Sequence, residues 1–179
     1  MGTIKINILL FLIFFINGLI LLTLALFFKK RDKNILERST QVVIGKVVKH
    51  TLLSNKSVYF PIIEYIVNGI TYNQRLKYSW IITKSSPFKS INPDIENDIL
   101  DTNLVINKNV YISRNVLIDK FPVGTELAVY YNPNYPKESY VLRFTKNPCV
   151  KIFFITSILF IALSFIVLMF LPNNLISIN

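Results

Sequence analysis

The chain holds one cysteine, one histidine and three alanines among 179 residues, and each scarcity removes something. With Cys149 alone, no disulfide can form within the chain, so pairing says nothing about redox compartment. Cys149 stands at the mouth of an apolar run, where a small apolar residue is a better reading than a lipid-attachment site. A Ser/His/Asp site would have to use His50, and a lone histidine at the end of a strand-like run is more often simply solvated. The sequence has no glycine-rich phosphate loop, no His or Cys metal spacing and no nucleotide fingerprint, so no cofactor is expected. Alanine confined to Ala25, Ala128 and Ala162, beside abundant Ile, Asn and Lys, is the composition of an AT-rich, bacterial gene.

Charge is missing from two long stretches, Ile6 to Phe28 and Ile152 to Leu171. Each reaches the roughly 20 residues needed to cross a hydrocarbon core of about 30 Å, so both are candidate transmembrane helices, over 6–28 and 152–171. The first is longer than the ~7–15 residues of a signal-peptide core, and no small-x-small cleavage pattern comes after it. The run ends instead in KKRDK, a stop signal, which reads as an uncleaved anchor.

All ten acidic residues and every basic residue except Lys5 lie in 29–151, so the net charge of +10 divides into +9 there and +1 on the N-terminal tail. A basic segment between two anchors favours anionic lipid headgroups or an acidic protein partner. Nucleic acid is not expected, because no recognition motif accompanies the charge. Lys29, Lys30, Arg31 and Lys33 flank the first span and Arg143, Lys146 and Lys151 the second, all on the domain side. By the positive-inside rule the central domain is then cytoplasmic, in the membrane of a bacterial cell, with both tails outside.

Within 29–151 the period changes from helical to alternating. TQVVIGKVVKH (40–50), with Gly45 in its middle, reads as a strand with a bulge. In YFPIIEYIVNGITYNQRLKY the Asn68-Gly69 pair specifies a two-residue hairpin turn, so Val67 faces Ile70, Tyr65 faces Tyr72 and Ile63 faces Gln74, with Glu64 and Arg75 diagonal neighbours. Residues 84–101 are turn-rich and read as a loop with a short helix from Pro93. A strand is expected over Asn103–Ser113. FPVGTELAVYY enters a strand through a Pro-x-Gly turn, with Leu127, Val129 and Tyr131 on one face. Pro133 to Pro136 forms a corner, and the last strand is YVLRF (140–144), its apolar set being Tyr140, Leu142 and Phe144. The expected fold is an α+β membrane protein, two transmembrane helices flanking a small antiparallel β-barrel-like or sandwich-like domain, with an insertion at 81–120.

The stretches VVIGKVV, YFPIIEYIVNGITY and VGTELAVYYNPNYPKES, between two anchors, resemble the bacterial family catalogued as domain of unknown function 3592. The resemblance spans most of the chain outside 81–120, which is longer than the family pattern. It implies two anchors and a β-rich domain, and carries over no catalytic residue, because its motifs are turns, strand faces and anchors. Similar proteins lie beside secreted-toxin genes, which implies a toxin-immunity role.

Two groups remain as candidate sites. The carboxylates of Asp94, Glu96, Asp98 and Asp101 could hold a hard cation or a basic protein, although the loop lacks the glycine of an EF-hand and a solvated acidic loop is the plainer reading. Asn17 is costly to leave facing lipid, and an antiparallel pairing of the spans directs it toward Ser164; self-association into a homo-oligomer is the alternative. The expected function is therefore a non-enzymatic membrane protein whose β-domain binds a protein partner, a toxin in the most concrete version. The alternatives are a structural or regulatory subunit of a cell-envelope complex and, behind it, a membrane-bound hydrolase.

Overall fold

Residues without charge or helix breakers satisfy their backbone within one segment as helix, whereas the β-branched, alternating residues of the middle pair across strands. The computed structural model describes residues 3–51, 58–85, 94–108, 116–170 and 175–177. In chain order the elements are β1 (Thr3–Lys5), α1 (Ile6–Arg38), β2 (Gln41–His50), β3 (Pro61–Val67), β4 (Ile70–Arg75), β5 (Trp80–Ser85), β6 (Asp94–Ile95), β7 (Asn103–Lys108), α2 (Val116–Lys120), β8 (Glu126–Asn132), β9 (Tyr135–Val141), α3 (Pro148–Phe170) and β10 (Leu175–Ser177). They divide into two compact units, Met1–Asp32 with Asn147–Asn179, and Lys33–Lys146.

In the first unit, α1 and α3 are both long and apolar enough to cross a membrane. The first helix continues past the apolar run through the basic cluster to Arg38, and α3 begins at Pro148, a residue suited to the first helical turn. Phe11 meets Phe165, Phe14 meets Phe160 and Phe28 meets Phe153, so the two helices run antiparallel. Their seam is made of small residues: Gly18, Ala25, Ser157 and Ser164 are all buried. A Cβ on Gly18 would lie 2.7 Å from Ile161 Cγ1 and 3.3 Å from the Ser157 carbonyl, the close approach that small residues permit between helices. Elsewhere the surface is apolar, with Ile16, Ile20, Leu159 and Met169 exposed. Beyond the helices, β1 pairs antiparallel with β10, Ile4 opposite Ile176.

The second unit is built on a five-stranded antiparallel sheet in the order β4-β3-β2-β8-β9. The β3–β4 register is the expected one, Val67 to Ile70, Tyr65 to Tyr72 and Ile63 to Gln74. Asn68 (φ +50°) and Gly69 (φ +77°) both adopt the positive φ that this turn requires. The sheet curls until it nearly closes. Gln74 Nε2 donates to the carbonyl and hydroxyl of Ser139, and Tyr65 Oη donates to the Pro136 carbonyl (2.6 Å) and shares a second hydrogen bond with Ser139 Oγ (2.9 Å). Burial raises the pKa of Tyr65 above its ordinary value, which keeps this donor protonated. One way round the barrel, Ser139 is level with Tyr131 and then Gln41; the other way, through Gln74 and Ile63, it is level with Val47. That stagger along β2 is what closing a tilted sheet demands.

The bulge expected in β2 is present, between Val47 and Lys49. Gly45 is small for another reason: a Cβ there would lie 2.6 Å from Ile63 Cγ2 and 2.7 Å from the Glu64 carbonyl. The last strand is Tyr135–Val141, not 140–144, because Pro136 is tolerated in an edge strand and does not break it. This reverses the faces, so Ser139 and Val141 point inward and Tyr140 outward, and Leu142 ends the strand at φ +59°. The turn itself is confined to Pro133-Asn134, where Asn134 N–H donates to Asn132 Oδ1 (3.0 Å).

The described parts of the 81–120 insertion include strands and contribute side chains to the core. β5 pairs with β7 in parallel, which departs from an all-antiparallel domain, and β6 pairs antiparallel with β7. Leu104, Ile106, Val116, Leu117 and Phe121 join Val47, Ile63, Tyr65, Leu127 and Val129 in one buried cluster. Residues 94–95 are strand, and the helix expected from Pro93 falls at its start outside the described residues, as do 109–113 of the expected 103–113 strand. Arg75 stacks over the Phe60 ring (5.5 Å), and no Glu64–Arg75 ion pair occurs among the described residues.

Candidate binding surface

A barrel whose inner faces are filled leaves its outer faces to do the work. On β2 the inward residues are Val43, Gly45 and Val47, and the outward ones Val42, Ile44 and Lys46. Val42 pairs with Tyr130 and Ile44 with Ala128, and Tyr130 pairs in turn with Tyr140. Lys46 pairs with Glu64, so Ile66, two residues further along β3, flanks Ile44. The result is an apolar stripe over four neighbouring strands. Val42, Ile44 and Ile66 are 53%, 59% and 59% exposed and lie side by side, so they form a contiguous apolar patch and not scattered single residues. At its far end the rings of Tyr130 and Tyr140 stack at 5.0 Å, and Phe144 meets Tyr140 edge-on at 5.6 Å. Burial, and then the Tyr130 neighbour, raise the Tyr140 pKa above its ordinary value.

Charge frames the stripe. On one side Lys46 and Glu126 form an exposed ion pair (3.3 Å). Near the turn between β8 and β9, an open polar cleft of about 650 Å³ is lined by Arg38, Thr40, Asn132, Asn134 and Glu138, with Asn132 Nδ2 donating to Glu138 Oε2 (2.9 Å).

The sequence-predicted residues are distributed differently. Asn17 Nδ2 donates to the Ile13 carbonyl of its own helix (2.7 Å), and Ser164 Oγ to that of Ile161 (2.6 Å), so the expected Asn17–Ser164 contact is not made. The helix backbone takes one N–H of Asn17 and the hydroxyl of Ser164, and the Asn17 side chain is exposed on its own helix. Sequence reasoning missed Gly18, whose signal was the recurrence of small residues seven apart at 18 and 25 and at 157 and 164.

Of the acidic group, Glu96 is paired with Lys84 (2.7 Å), Asp98 Oδ1 accepts from Leu100 N–H (2.9 Å), and Asp101 Oδ2 accepts from Asn97 Nδ2 (2.9 Å). The Asp94 side chain lies outside the description. Among the described residues no three His, Cys, Asp or Glu side chains converge as metal ligands.

Lys29, Lys30, Arg31 and Lys33 are exposed on α1, with Lys33 3.7 Å from Glu37, and Lys146 and Lys151 are exposed at the entry to α3. Arg143 belongs to the β-domain unit. Its guanidinium stacks on the Tyr78 ring (4.5 Å), Nη2 donates to the Asp101 carbonyl, and Nε and Nη1 are buried without a partner. His50 closes β2 opposite Pro61, with Nε2 buried and unpartnered.

No family model, curated protein or solved structure matches the chain.

Proposed function

We propose that this chain is a two-span membrane protein whose β-barrel is held on the cytoplasmic side as a binding module for a protein partner, most concretely a bacterial toxin it neutralises. The observation that carries the binding reading is the outer stripe of Val42, Ile44, Ile66, Tyr130 and Tyr140. An exposed apolar band framed by charge is the kind of surface a partner covers, and aromatic residues supply much of the affinity at such contacts. The two-span reading draws on α1 and α3, whose most apolar windows are only 11% and 17% buried within the chain. Helices apolar on nearly every side need a medium that covers them, and lipid does so. The cytoplasmic placement draws on Lys29, Lys30, Arg31, Lys33, Lys146 and Lys151. The toxin draws on the resemblance of the strand and turn motifs to proteins found beside toxin genes, and membership of that family is part of the proposal.

The test is protection. Cells expressing a toxin encoded beside this gene survive when the full chain is present and die when it carries Ile44→Asp with Ile66→Asp. Both positions are exposed, so the double variant retains its fold, as its circular dichroism will show. Equal protection by the double variant removes the stripe as the binding surface, and no protection by the wild type removes the toxin.

A further inference from the structure

Trp80 is the only tryptophan in the chain, and it is 48% exposed at the start of β5. Its strand alternates: Ile81 packs against the buried cluster, while Trp80 and Ile82 point outward. A large amphipathic ring left outside a filled core calls for a reason. The hydrogen bonds around it supply one. Ser79 Oγ donates to the carbonyl of Lys146 (3.0 Å), and Thr145 Oγ1 to that of Lys77 (3.3 Å). Trp80 therefore stands one residue from the point where the chain leaves the β-domain, since Lys146 is the domain's last residue and α3 begins at Pro148.

The depth of that exit point is set by the helical unit. Asn147 N–H donates to Asp32 Oδ2 (2.7 Å), which ties the residue after Lys146 to α1. Asp32 is four residues past Phe28, the last of the charge-free run, which at 1.5 Å per residue is about 6 Å of helix. The polar zone on each side of a hydrocarbon core is roughly 5–8 Å deep, so the exit point falls among the headgroups. Tryptophan is the side chain that gains most there, its apolar ring against the acyl boundary and its indole N–H toward the polar layer. The charges agree: Lys146 and Lys151 are exposed on either side of the exit, and Lys29, Lys30 and Arg31 on α1.

We propose that Trp80 docks into the headgroup layer of the membrane, with Lys146 and Lys151 selecting anionic lipid. This rests on the two-span reading above and adds to it a lipid contact made by the domain itself.

A single tryptophan makes the test direct. The full chain is placed in nanodiscs of phosphatidylcholine and phosphatidylglycerol, both faces of which are open to solution. Trp80 emission is then measured with brominated lipids and with iodide. The expected result is a blue shift relative to detergent, quenching by lipids brominated near the headgroup end of the chain, and protection from iodide. Lys146→Ala with Lys151→Ala should reduce the difference between anionic and neutral discs, and an unchanged difference removes these two residues as the lipid-selecting charges. Iodide quenching as strong in discs as in detergent overturns the proposal, because the ring then faces water. Protection from both quenchers also overturns it, in favour of a protein or a second copy covering the ring. If alkali extracts the protein from native membranes, the two-span reading fails and the docking with it. An extraction-resistant protein with an iodide-accessible Trp80 leaves the spans and removes only the docking.

Discussion

Replacing Gly45 by alanine tests whether the close approach of β2 and β3 shapes the barrel. The added Cβ would stand 2.6 Å from Ile63 Cγ2, 2.7 Å from the Glu64 carbonyl and 3.2 Å from Tyr65 Cβ, where ordinary carbon contacts are about 3.5–4.0 Å. Ile63 is fully buried and cannot swing aside, and the Glu64 carbonyl belongs to the backbone, so the strands must part by close to the missing ångström. Overpacking of this kind costs about 1–3 kcal/mol, offset by the ~0.4–1 kcal/mol that alanine gains over glycine by restricting the unfolded chain. The net loss is about 1–2 kcal/mol, and for a domain of this size each kcal/mol lowers Tm by roughly 4 °C or more. Thermal unfolding of the full chain in detergent, followed by Trp80 emission, measures it. The clash also predicts a coupling. Ile63→Leu moves the branch away from Cβ and deletes Cγ2, so Gly45→Ala with Ile63→Leu should be at least about 0.5 kcal/mol more stable than the two single losses added together. A Gly45→Ala protein that melts at or above the wild type, or strict additivity in the pair, refutes the close approach.

Tyr65→Phe removes the hydroxyl that ties β3 to β9 and leaves the Pro136 carbonyl and Ser139 short of a partner, a cost of about 1–3 kcal/mol, which should appear as faster amide exchange in β4 and β9 than in the centre of the sheet. Uniform protection across all five strands would mean that the side-chain clasp does not close the barrel. Asn73→Cys in a Cys149→Ser background places a thiol on the exposed face of β4, and the cytoplasmic assignment predicts that a membrane-impermeant reagent labels it only after cells are permeabilised. Labelling of intact cells reverses the topology.

The hairpin was legible because Asn68-Gly69 is a local signal: two residues determine the turn, and the turn determines every pair from Val67–Ile70 back to Ile63–Gln74. The apolar runs were legible for the same kind of reason, absence of charge being visible without knowledge of the fold. What sequence reasoning missed depends on partners distant in the chain. The parallel β5–β7 pair has no turn to announce it, since a parallel pair needs a long crossover, and Leu104 and Ile106 look like any short apolar run until Leu117 and Phe121 are folded against them. Pro133 to Pro136 was read as a corner throughout, yet on an edge strand the N–H that proline lacks goes unmissed, so β9 already begins at Tyr135 and turns Ser139 and Val141 inward. Asn17 and Ser164 share a cause of error: each donates to a carbonyl of its own helix, and the seam is set by Gly18 and the small residues opposite, where packing distance decides. The outer stripe was half visible, since Ile44 and Ile66 alternate as strand residues do, but that both face outward became clear only from the register with β8 and β4.

The central claim is that a partner covers the outer face of the barrel at Ile44. A photo-reactive phenylalanine analogue placed at position 44 of the full chain, activated in living cells, probes it with the protein in its own membrane. The account predicts one discrete adduct with a second protein, lost when Ile66→Asp is added and absent when the analogue stands instead at Asn73, which is outward on the same barrel but outside the stripe. No adduct from position 44, an adduct with this chain alone, or the same adducts from positions 44 and 73 would contradict it.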